Sequence, residues 1–571
     1  MPNQDTIPGF TILKNGSEIP NASIFSVSIE FTVASIPKAV IQIDDGSWSQ
    51  RKFGLSNGSD WRIGEKLEIK IGYSQQHELV FTGIIVKHTI SASEGSGSRL
   101  VVELRHKYYL SSIKKLNRIF LEKSDSDCIN EILSEYSFSA QVDDLSEKHR
   151  QMIQYYSSDW DFLNLRAEAN QLLVFPKNDK IIFTKNIVEQ SEKLNLGFGD
   201  NIAKINLEVD NRHAFEEFSV KSWNHEDQKI VQSDSSINLS KTIGDLSAIE
   251  IAENSKHKNK DITGFGTLSE SEAEALANTN FQTAELIKVR GTIKCNGCGQ
   301  IEIGDWVKLE GLSEPFNGKV FVTGVLHELS LGKWYTTFQI GLLPERYFQR
   351  FDNIVEAPAL GLLPSVHGLQ IGIVSKLESD NDDEKILVQL PNLLEGQDAV
   401  WARCARIDAG KDRGWVFRPE IGDEVILGFI NDDPRQAIIL GAMHSSKNPS
   451  EIKAADDNHH KGYVSREKLK FLFDDEKKII SILTPDATIV LDDDAKKLIV
   501  KNPDNEIELS PNGIKLESQK DIKIKSTGDI DIQGMNVKIK GDGQLEVEGS
   551  GGTKVSSSGI TEIKGSMVKI N

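Results

Sequence analysis

The stretch "DIKIKSTGDIDIQGMNVKIKG", residues 521–541, decides the fold of the C-terminal region. Its aliphatic residues come in pairs two apart, such as Ile522 and Ile524, with a charged residue between the two members. This alternation is typical of a β-strand with one apolar and one polar face. Each strand supplies only two inward residues before Gly or Ser turns the chain, so no strand builds a core alone.

The same kind of pair recurs along the whole C-terminal region, at steps of seven to nine residues. The pairs are Phe471/Phe473, Ile480/Ile482, Ile489/Leu491, Leu498/Val500, Ile507/Leu509, Ile514/Leu516, Ile522/Ile524, Ile530/Ile532, Val537/Ile539 and Leu545/Val547. We call these residues the apolar stripe. Two inward residues per strand predict a slender prism whose core is shared by three chains, so that folding and trimerisation are one event. The alternative is a meander packed on another domain.

Length and charge limit the possible classes of protein. The chain has 571 residues and a net charge of −19, from 66 Lys and Arg against 85 Asp and Glu. This length predicts about three or four domains, and the acidic balance argues against a nucleic-acid partner. Four Cys make no disulfide framework, and the N-terminus lacks a basic start followed by an apolar run. We expect a protein made in the cytoplasm without a signal peptide.

Before the stripe, residues 363–447 carry short alternating strands such as "KILVQL", "VWARCA" and "DEVILGFI", separated by turns. This spacing predicts a five-stranded OB-fold barrel, which we interpret as a structural collar. We expect Trp401, Trp415 and Phe417 to lie in its core. Residues 448–470, which include the adjacent His459 and His460, predict a solvated linker rather than a metal site.

The motifs of this collar resemble a known family. "WARCA" and "GWVFRPEIGDEVILGFINDDPRQAIILGAMH" are similar to the signature of the valine–glycine repeat proteins, VgrG, the spikes of type VI secretion and related contractile injection systems. These are similar in turn to the fused hub and spike proteins of contractile-tailed phages. One departure is Trp401-Ala402-Arg403, where the family usually has Trp-Val-Arg.

The resemblance implies an OB-fold collar followed by an intertwined trimeric β-helix, or β-prism, over residues 471–571. It implies a central spike that docks on a hexameric inner tube and punctures a target membrane when a sheath contracts. The partners it implies are a hexameric tube protein, baseplate proteins, a PAAR-type tip protein rich in Pro-Ala-Ala-Arg motifs, and effector cargo. Delivery would be extracellular, or into a target cell, as part of an injection particle.

Two stretches of the N-terminal half echo each other, residues 62–91 and 302–330. Each has Ile-Gly-acid, an alternating strand, a loop, Phe-x-Gly and a second strand that reaches a His. They predict two related barrels, at about 1–110 and 291–350, within a hub-like region of residues 1–360. Three chains would then present six similar modules, the geometry that a hexameric tube requires.

An α/β insertion lies between the two predicted barrels. "SDSDCINEILSEY" predicts a helix that begins at Ser124 or Ser126, and "SDWDFLNLRAEANQLLVF" predicts a helix that runs into a strand. The second also resembles the inserted segment of the VgrG family. "SESEAEALANTNFQTAELIK" predicts a third helix with a capping box at Ser269 and Glu272. The fold class is therefore mainly β with an α+β N-terminal hub.

Candidate chemistry is sparse. "KCNGCG", with Cys295 and Cys298, is a weak candidate for a metal or redox pair, but no second CxxC completes a four-ligand site. No nucleophile elbow, HExxH or phosphate-binding loop is present. We expect no catalytic residue, no cofactor, no metal and no enzymatic activity.

The last residues, "GSMVKIN", return to apolar alternation. Met567, Val568 and Ile570 from three chains would form a small apolar triangle, which predicts the binding surface for the tip protein. Two alternatives stay open for the whole chain. One is a trimeric β-rich tail fibre or adhesin that binds surface glycans, and the other is an enzyme whose site no motif reveals.

Overall fold

The computed structural model describes residues 7–19, 23–74, 76–94, 97–185, 191–225, 227–237, 247–264, 266–379, 384–391 and 399–570. The chain divides into two compact units, residues 1–368 with 429–436 and residues 369–428 with 437–571. Strands predominate in both units, and a closed barrel follows the N-terminal α/β region. The predicted fold class, mainly β with an α+β hub, is confirmed.

The first strands form one antiparallel module with an alternating burial pattern. In β4, Ala39, Ile41 and Ile43 are fully buried, whereas the residues between them are half-buried. This is the pattern of a sheet with one face on the core. The strands are β1 (Pro8–Lys14), β2 (Ser17–Glu18), β3 (Ile24–Thr32), β4 (Lys38–Asp44), β5 (Lys66–Tyr73), β6 (Gln76–Ser93) and β7 (Gly97–Arg105).

The α/β insertion follows, and both of its predicted helices are present. Ser124 caps the first helix through a capping box with Asp127, and Ser158 caps the second by accepting the N–H of Asp161. The apolar residues Ile129, Ile132 and Leu133 of the first helix are buried. The elements are β8 (Lys115–Ser124), α1 (Asp125–Glu135), β9 (Ala140–Val142), β10 (Lys148–Ser158), α2 (Asp159–Ala169), β11 (Leu173–Pro176) and β12 (Ile181–Thr184).

The remainder of the hub combines strands with the third predicted helix, α4, whose capping box at Ser269 and Glu272 is confirmed. Its elements are β13 (Leu194–Gly197), β14 (Ile202–Val209), β15 (Glu217–Asn224), β16 (Lys229–Asp234), α3 (Ala248–Ser255), β17 (Asn259–Gly264), α4 (Glu270–Ile287), β18 (Val289–Asn296), β19 (Trp306–Glu310), β20 (Gly318–Ser330), β21 (Lys333–Ile340) and α5 (Tyr347–Arg350). Short 3₁₀ turns lie at Lys107–Ser112, Glu314–Phe316, Pro358–Gly361 and Ile430–Asp432.

The two N-terminal strand modules are joined by hydrogen bonds. β20 pairs antiparallel with β3, with Val325 opposite Phe31, and this pairing links both modules into a thirteen-stranded sheet. Periodicity within each module predicts its strands but carries no information about this cross-module pairing. The barrels expected at about 1–110 and 291–350 therefore share one continuous sheet.

The predicted duplication has a counterpart in backbone geometry. Gly64 and Gly304 both adopt a positive φ, near 90°, and both N–H groups donate over 2.9 Å, to the carbonyls of Ile85 and Val322. In each copy the following acidic residue accepts, through its main-chain oxygen, a 2.9 Å bond from the same Ile85 or Val322. A residue with a side chain is strained at this φ, which accounts for the Gly in both Ile-Gly-acid motifs.

The collar is a closed five-stranded barrel in the order β22-β23-β24-β28-β27, as the OB prediction requires. Its core contains Val374, Ile386, Val388, Val425 and Leu427, each almost fully buried. The strands are β22 (Gln370–Lys376), β23 (Lys385–Gln389), β24 (Ala399–Cys404), β25 (Ala409–Gly410), β26 (Arg413–Gly414), β27 (Glu424–Phe429) and β28 (Ala437–Ala442).

Trp415 and Phe417 do not lie in the barrel core, contrary to expectation. Both are about half exposed, because the segment between β26 and β27 is not part of a strand. Their rings lie 5.6 Å apart, and the Phe417 ring lies 4.7 Å from that of Tyr463. These aromatic residues form an external cluster beside the start of the C-terminal sheet.

The C-terminal sheet has seven strands in sequential order. They are β29 (His460–Val464), β30 (Lys470–Asp474), β31 (Ile479–Leu483), β32 (Thr488–Asp492), β33 (Lys497–Lys501), β34 (Asn505–Ser510) and β35 (Gly513–Ser518). The segment expected as a linker, 448–470, thus contains β29, which lacks the paired aliphatic residues and is held by pairing with β30. Within the described part of the chain, no helix is long and apolar enough to cross a membrane.

Candidate assembly surface

Each strand of the C-terminal sheet pairs antiparallel with the next one along the same chain. The prism interpretation placed one strand from each of three chains at every level, with bonds between chains. Over residues 460–518 the hydrogen bonds run within one chain instead. The physical reason is turn length, because loops of two to five residues return a strand antiparallel to its predecessor.

Polar side chains close these turns. At four of the six turns, a Thr, Asn or Asp side-chain oxygen accepts the backbone N–H of the residue three positions later, which replaces a missing ladder bond. The pairs are Asp474 with Lys477 at 3.0 Å, Thr484 with Ala487 at 2.9 Å, Asp492 with Ala495 at 2.8 Å, and Asn502 with Asn505 at 2.8 Å. These residues therefore fix the register of the sheet.

The register brings the stripe residues of different strands together. Directly opposed pairs are Phe471/Ile482, Phe473/Ile480, Ile480/Leu491, Ile482/Ile489, Ile489/Val500, Leu491/Leu498, Leu498/Leu509, Val500/Ile507, Ile507/Leu516 and Leu509/Ile514. Residues directly opposite on an antiparallel pair point to the same face. The stripe residues of β30–β35 thus form one continuous apolar sheet face.

Nothing in the described part of the chain covers this face. Ile480, Ile489 and Leu498, in the middle of the sheet, are half-buried. The other stripe residues of β30–β35 were expected in a core, but in the single chain they are exposed, because no second layer packs on them. They are Phe471, Phe473, Ile482, Leu491, Val500, Ile507, Leu509, Ile514 and Leu516, and Leu516 is 55% exposed.

In the last strands, β33–β35, the opposite face of the sheet carries charged side chains. Glu508 lies opposite Lys515, and the Glu508 carboxylate lies 3.5 Å from Lys497 Nζ. The two faces of β33–β35 therefore differ in polarity, with charges on one and the stripe on the other. A long apolar face on an otherwise acidic chain is typical of an interaction surface.

The second half of the stripe has a different environment. Residues 521–570 include no strand or bridge, and their only backbone–backbone hydrogen bond among the described residues joins Gly552 N–H to the Gly549 carbonyl. The backbone groups of this exposed, extended segment are therefore open to water or to strands of other chains.

The stripe residues of this second half were also expected in a core, and in the single chain they do not lie in one. They are 51–71% exposed, because the part of the chain that the structure describes supplies neither a neighbouring strand nor a layer that covers them. They are Ile522, Ile524, Ile530, Ile532, Val537, Ile539, Leu545 and Val547, and Ile539 is 67% exposed. A core that contains these side chains would have to be shared with other chains.

The residues expected to bind a tip protein are also uncovered. Met567, Val568 and Ile570 are 75%, 50% and 89% exposed. The last residue of the sequence, Asn571, lies outside the described residues.

The candidate cysteines occupy a buried position at the end of β18. Cys295 is fully buried, and its Sγ donates to the main-chain carbonyl of Asn296 over 3.2 Å. Burial raises the pKa of Cys295 to about 12 and also raises the pKa of Cys298. A raised thiol pKa disfavours the thiolate that metal binding and redox exchange use. Among the described residues no three His, Cys, Asp or Glu side chains form a potential metal site. The expectation of a metal-free pair stays a prediction.

Two family models match the chain. Residues 370–444 match the type VI secretion system/phage-baseplate injector OB domain, which covers the five-stranded collar. The collar is thus of the injector class, which confirms the resemblance to VgrG and phage-baseplate proteins and supports a place in a contractile injection machine. Residues 4–330 match the Alg8 N-terminal domain. Because this match spans more than half of the chain, the chain belongs to the family with the Alg8 N-terminal domain.

Several solved structures are similar to the chain at low identity. The 43 kDa tail protein of prophage MuSo2 from Shewanella oneidensis is 11% identical, with 58% of this chain and 98% of that chain covered and a TM-score of 0.46. The E. coli c3393 protein, a component of the type VI secretion system, is 14% identical, with 76% and 99% covered and a TM-score of 0.36. The Francisella PdpA–VgrG complex is 10% identical, with 90% of this chain and 80% of that chain covered and a TM-score of 0.39. None of these scores reaches 0.5, so the function of the chain is inferred from the family models and the uncovered sheet face.

Proposed function

We propose that three copies of the chain associate through the apolar stripe and form the non-enzymatic central spike of a contractile injection machine. The observation that carries this proposal is the continuous apolar face of β30–β35, which the chain itself leaves uncovered. The family match of the collar supports the injection machine as its setting.

The energetics favour association of the stripes. Burial of an exposed aliphatic side chain stabilises by about 1.5–3 kcal/mol, and the stripe contributes many such residues per chain. Three stripes that face a common axis would remove these side chains from water together. Over residues 521–570, association would in addition provide strands that pair with the unbonded backbone groups. Trimerisation is thus proposed to bury the apolar face of β30–β35 and to fold residues 521–570.

The duplicated hub supports docking on a hexameric tube. The turns that precede β5 and β19, the first strands of the hairpins β5–β6 and β19–β20, share the same backbone geometry, and each chain contributes one of each hairpin. A trimer would present six such hairpins to a sixfold tube protein, with baseplate proteins around them. In this role the chain acts mechanically: sheath contraction drives tube, spike and cargo through a target membrane and delivers the spike outside the producing cell.

Binding to the tube distinguishes this function from that of an adhesin. The purified chain is passed over immobilised tube protein of the same injection system and over an array of surface glycans. We expect retention on the tube protein and none on the glycans. Retention on glycans without tube binding would support the tail-fibre alternative instead.

We further propose that residues 565–570 seat a PAAR-type tip protein, one copy per trimer. The exposed apolar side chains of Met567, Val568 and Ile570 support this. A candidate tip protein is co-purified with the full chain and with a chain truncated after Ile563. We expect the truncation to lose the tip protein while it leaves the trimer intact. Equal recovery from both chains would place the tip contact elsewhere.

A further inference from the structure

A cavity in the hub has polar walls that the spike function does not use. It lies among α2, α4 and the segment 342–350, and its volume is about 80 Å³. Apolar side chains such as Val33, Leu286 and Leu342 form part of the lining. The polar lining residues include Asn164 and Glu168 of α2, Gln282 of α4 and Arg350 of α5.

Three of these residues have a buried polar atom with no hydrogen-bond partner among the described residues. They are Asn164 Oδ1, Gln282 Nε2 and Arg350 Nε. Asn164 is 2% exposed and Gln282 is 3% exposed. The Asn164 amide orientation is fixed, because its Nδ2 donates to the Trp160 carbonyl over 2.7 Å, so the free atom is an acceptor. Buried polar groups are normally paired, so unpaired ones on a cavity wall point to an occupant.

Glu168 supplies a fourth buried polar atom without a hydrogen-bond partner. Its Oε1 accepts the N–H of Tyr347 over 3.0 Å, whereas its buried Oε2 makes no hydrogen bond and lies 3.4 Å from Arg346 Nε. The charges on the lining balance, with Glu168 and Glu345 against Arg346 and Arg350. A cavity without net charge favours an uncharged occupant over an ion.

The free atoms define the chemistry of that occupant. Two are acceptors without a hydrogen-bond partner, Asn164 Oδ1 and Glu168 Oε2, of which the second also forms an ion pair with Arg346. Two are donors without a hydrogen-bond partner, Gln282 Nε2 and Arg350 Nε. A primary carboxamide carries two N–H donors and a carbonyl oxygen with two lone pairs, which match all four. A carboxylate would bring only acceptors to Asn164 and Glu168, and an ammonium group would bring only donors to Gln282 and Arg350. We propose that this cavity binds a small uncharged molecule through a primary carboxamide group.

The test uses two probes of the same shape, propionamide and propionate, on the full-length chain in its assembled state. Saturation-transfer NMR reports whether each probe contacts the protein. We expect transfer to propionamide and at least tenfold weaker binding of propionate. Gln282→Met keeps the side-chain length and removes the free donor, so we expect it to weaken propionamide binding at least tenfold. The control is Thr279→Ser, which keeps a wall hydroxyl that donates to the Ala275 carbonyl over 2.8 Å, and its binding should not change.

Three results would overturn the proposal. The first is no transfer to propionamide from the wild-type chain, as expected if only water or a side chain of a neighbouring subunit fills the cavity. The second is equal binding of both probes. The third is undiminished propionamide binding by Gln282→Met. If that variant does not fold, the comparison of the two probes on the wild-type chain still decides.

Discussion

The hub sheet and the C-terminal sheet both consist of strands with alternating apolar and polar residues, yet they differ in what covers their apolar faces. In the hub, Ile41 and Ile43 of β4 are fully buried by other parts of the same chain. In the C-terminal sheet, Ile482 and Leu491 belong to a face that stays open. Alternation therefore predicts that a strand has an apolar face, and only the surrounding sequence decides whether the chain can cover it.

The difference also explains why the two regions should respond to different perturbations. The hub core is complete within one chain, so its stability depends on groups buried inside that chain. The apolar stripe has no cover among the residues that the structure describes, so its stability should depend on association and hence on concentration. Substitutions in the stripe and titration of the hub separate these two kinds of dependence.

The largest effect is expected from a charge on the apolar face. Ile489→Asp would place three carboxylates at one level of the proposed core, each buried at a cost of several kcal/mol. Since Ile489 lies opposite both Ile482 and Val500, we expect loss of the trimer, measured by light scattering. The matched control is Val490→Asp, on the same strand but the opposite face, which should keep the trimer. Equal behaviour of the two variants would contradict the assignment of the faces.

A local effect is expected in the second half of the stripe. Ile530→Asp with Ile532→Asp should fray residues 521–570 while the sheet of β30–β35 keeps the chains together. The measurement is hydrogen exchange of the amides in residues 521–570, which should lose protection. Asp531→Asn, between the two sites and outside the stripe, serves as the control and should keep protection. Unprotected amides in the wild-type chain would show that this segment does not pair between chains.

A smaller effect is expected from acid, and it should be confined to the hub. Burial lowers the pKa of His106 and of His327 to about 4. His106 Nε2 donates to the Asn178 carbonyl over 3.1 Å, which leaves Nδ1 buried without a partner among the described residues. In the unfolded chain these two His side chains bind protons near pH 6.5. Their neutral forms therefore contribute fully to the stability of the hub above that pH, and this contribution is lost as the pH falls toward 4. Each His contributes about 3 kcal/mol or less to this loss.

Tryptophan fluorescence in urea reports mainly on the hub, because six of the eight Trp residues occur at or before Trp334 and only Trp401 and Trp415 lie in the collar. We expect His106→Gln to reduce the loss of hub stability between neutral pH and a pH of about 4.5. His459→Gln, at a site outside the hub, is the matched control and should not alter it. An identical pH dependence in the wild-type chain and both variants would show that His106 is not responsible.

Much of the fold could be predicted from local signals. The capping residues Ser124 and Ser269, the strand alternation and the paired Ile-Gly-acid motifs all act over a few residues, and the structure has the corresponding elements. The in-chain pairing of β30–β35 was missed, although the short turns closed by Thr484 and Asn502 were the available signal. Strand pairing between β3 and β20 joins residues far apart in sequence, and no local pattern encodes it.

The hub cavity is the other feature that the sequence did not predict. Its visible signal is on α4, where the polar residues Thr279 and Gln282 lie at helical spacing on the buried side and line the cavity. Polar residues on a buried helix face are exceptional and call for partners. Their significance depends on which side chains of α2 and α5 they meet, and this is a property of the tertiary structure. The trimer core and the tip surface remain predictions, because a single chain contains no neighbouring copy.

The oligomeric state of the purified full-length chain tests the central claim most directly. Native mass spectrometry at several concentrations gives the mass of the folded species. We expect one dominant species of three chains, each of 63.5 kDa, with no folded monomer at equilibrium. A stable folded monomer, with the apolar face of β30–β35 open to water, would contradict the account.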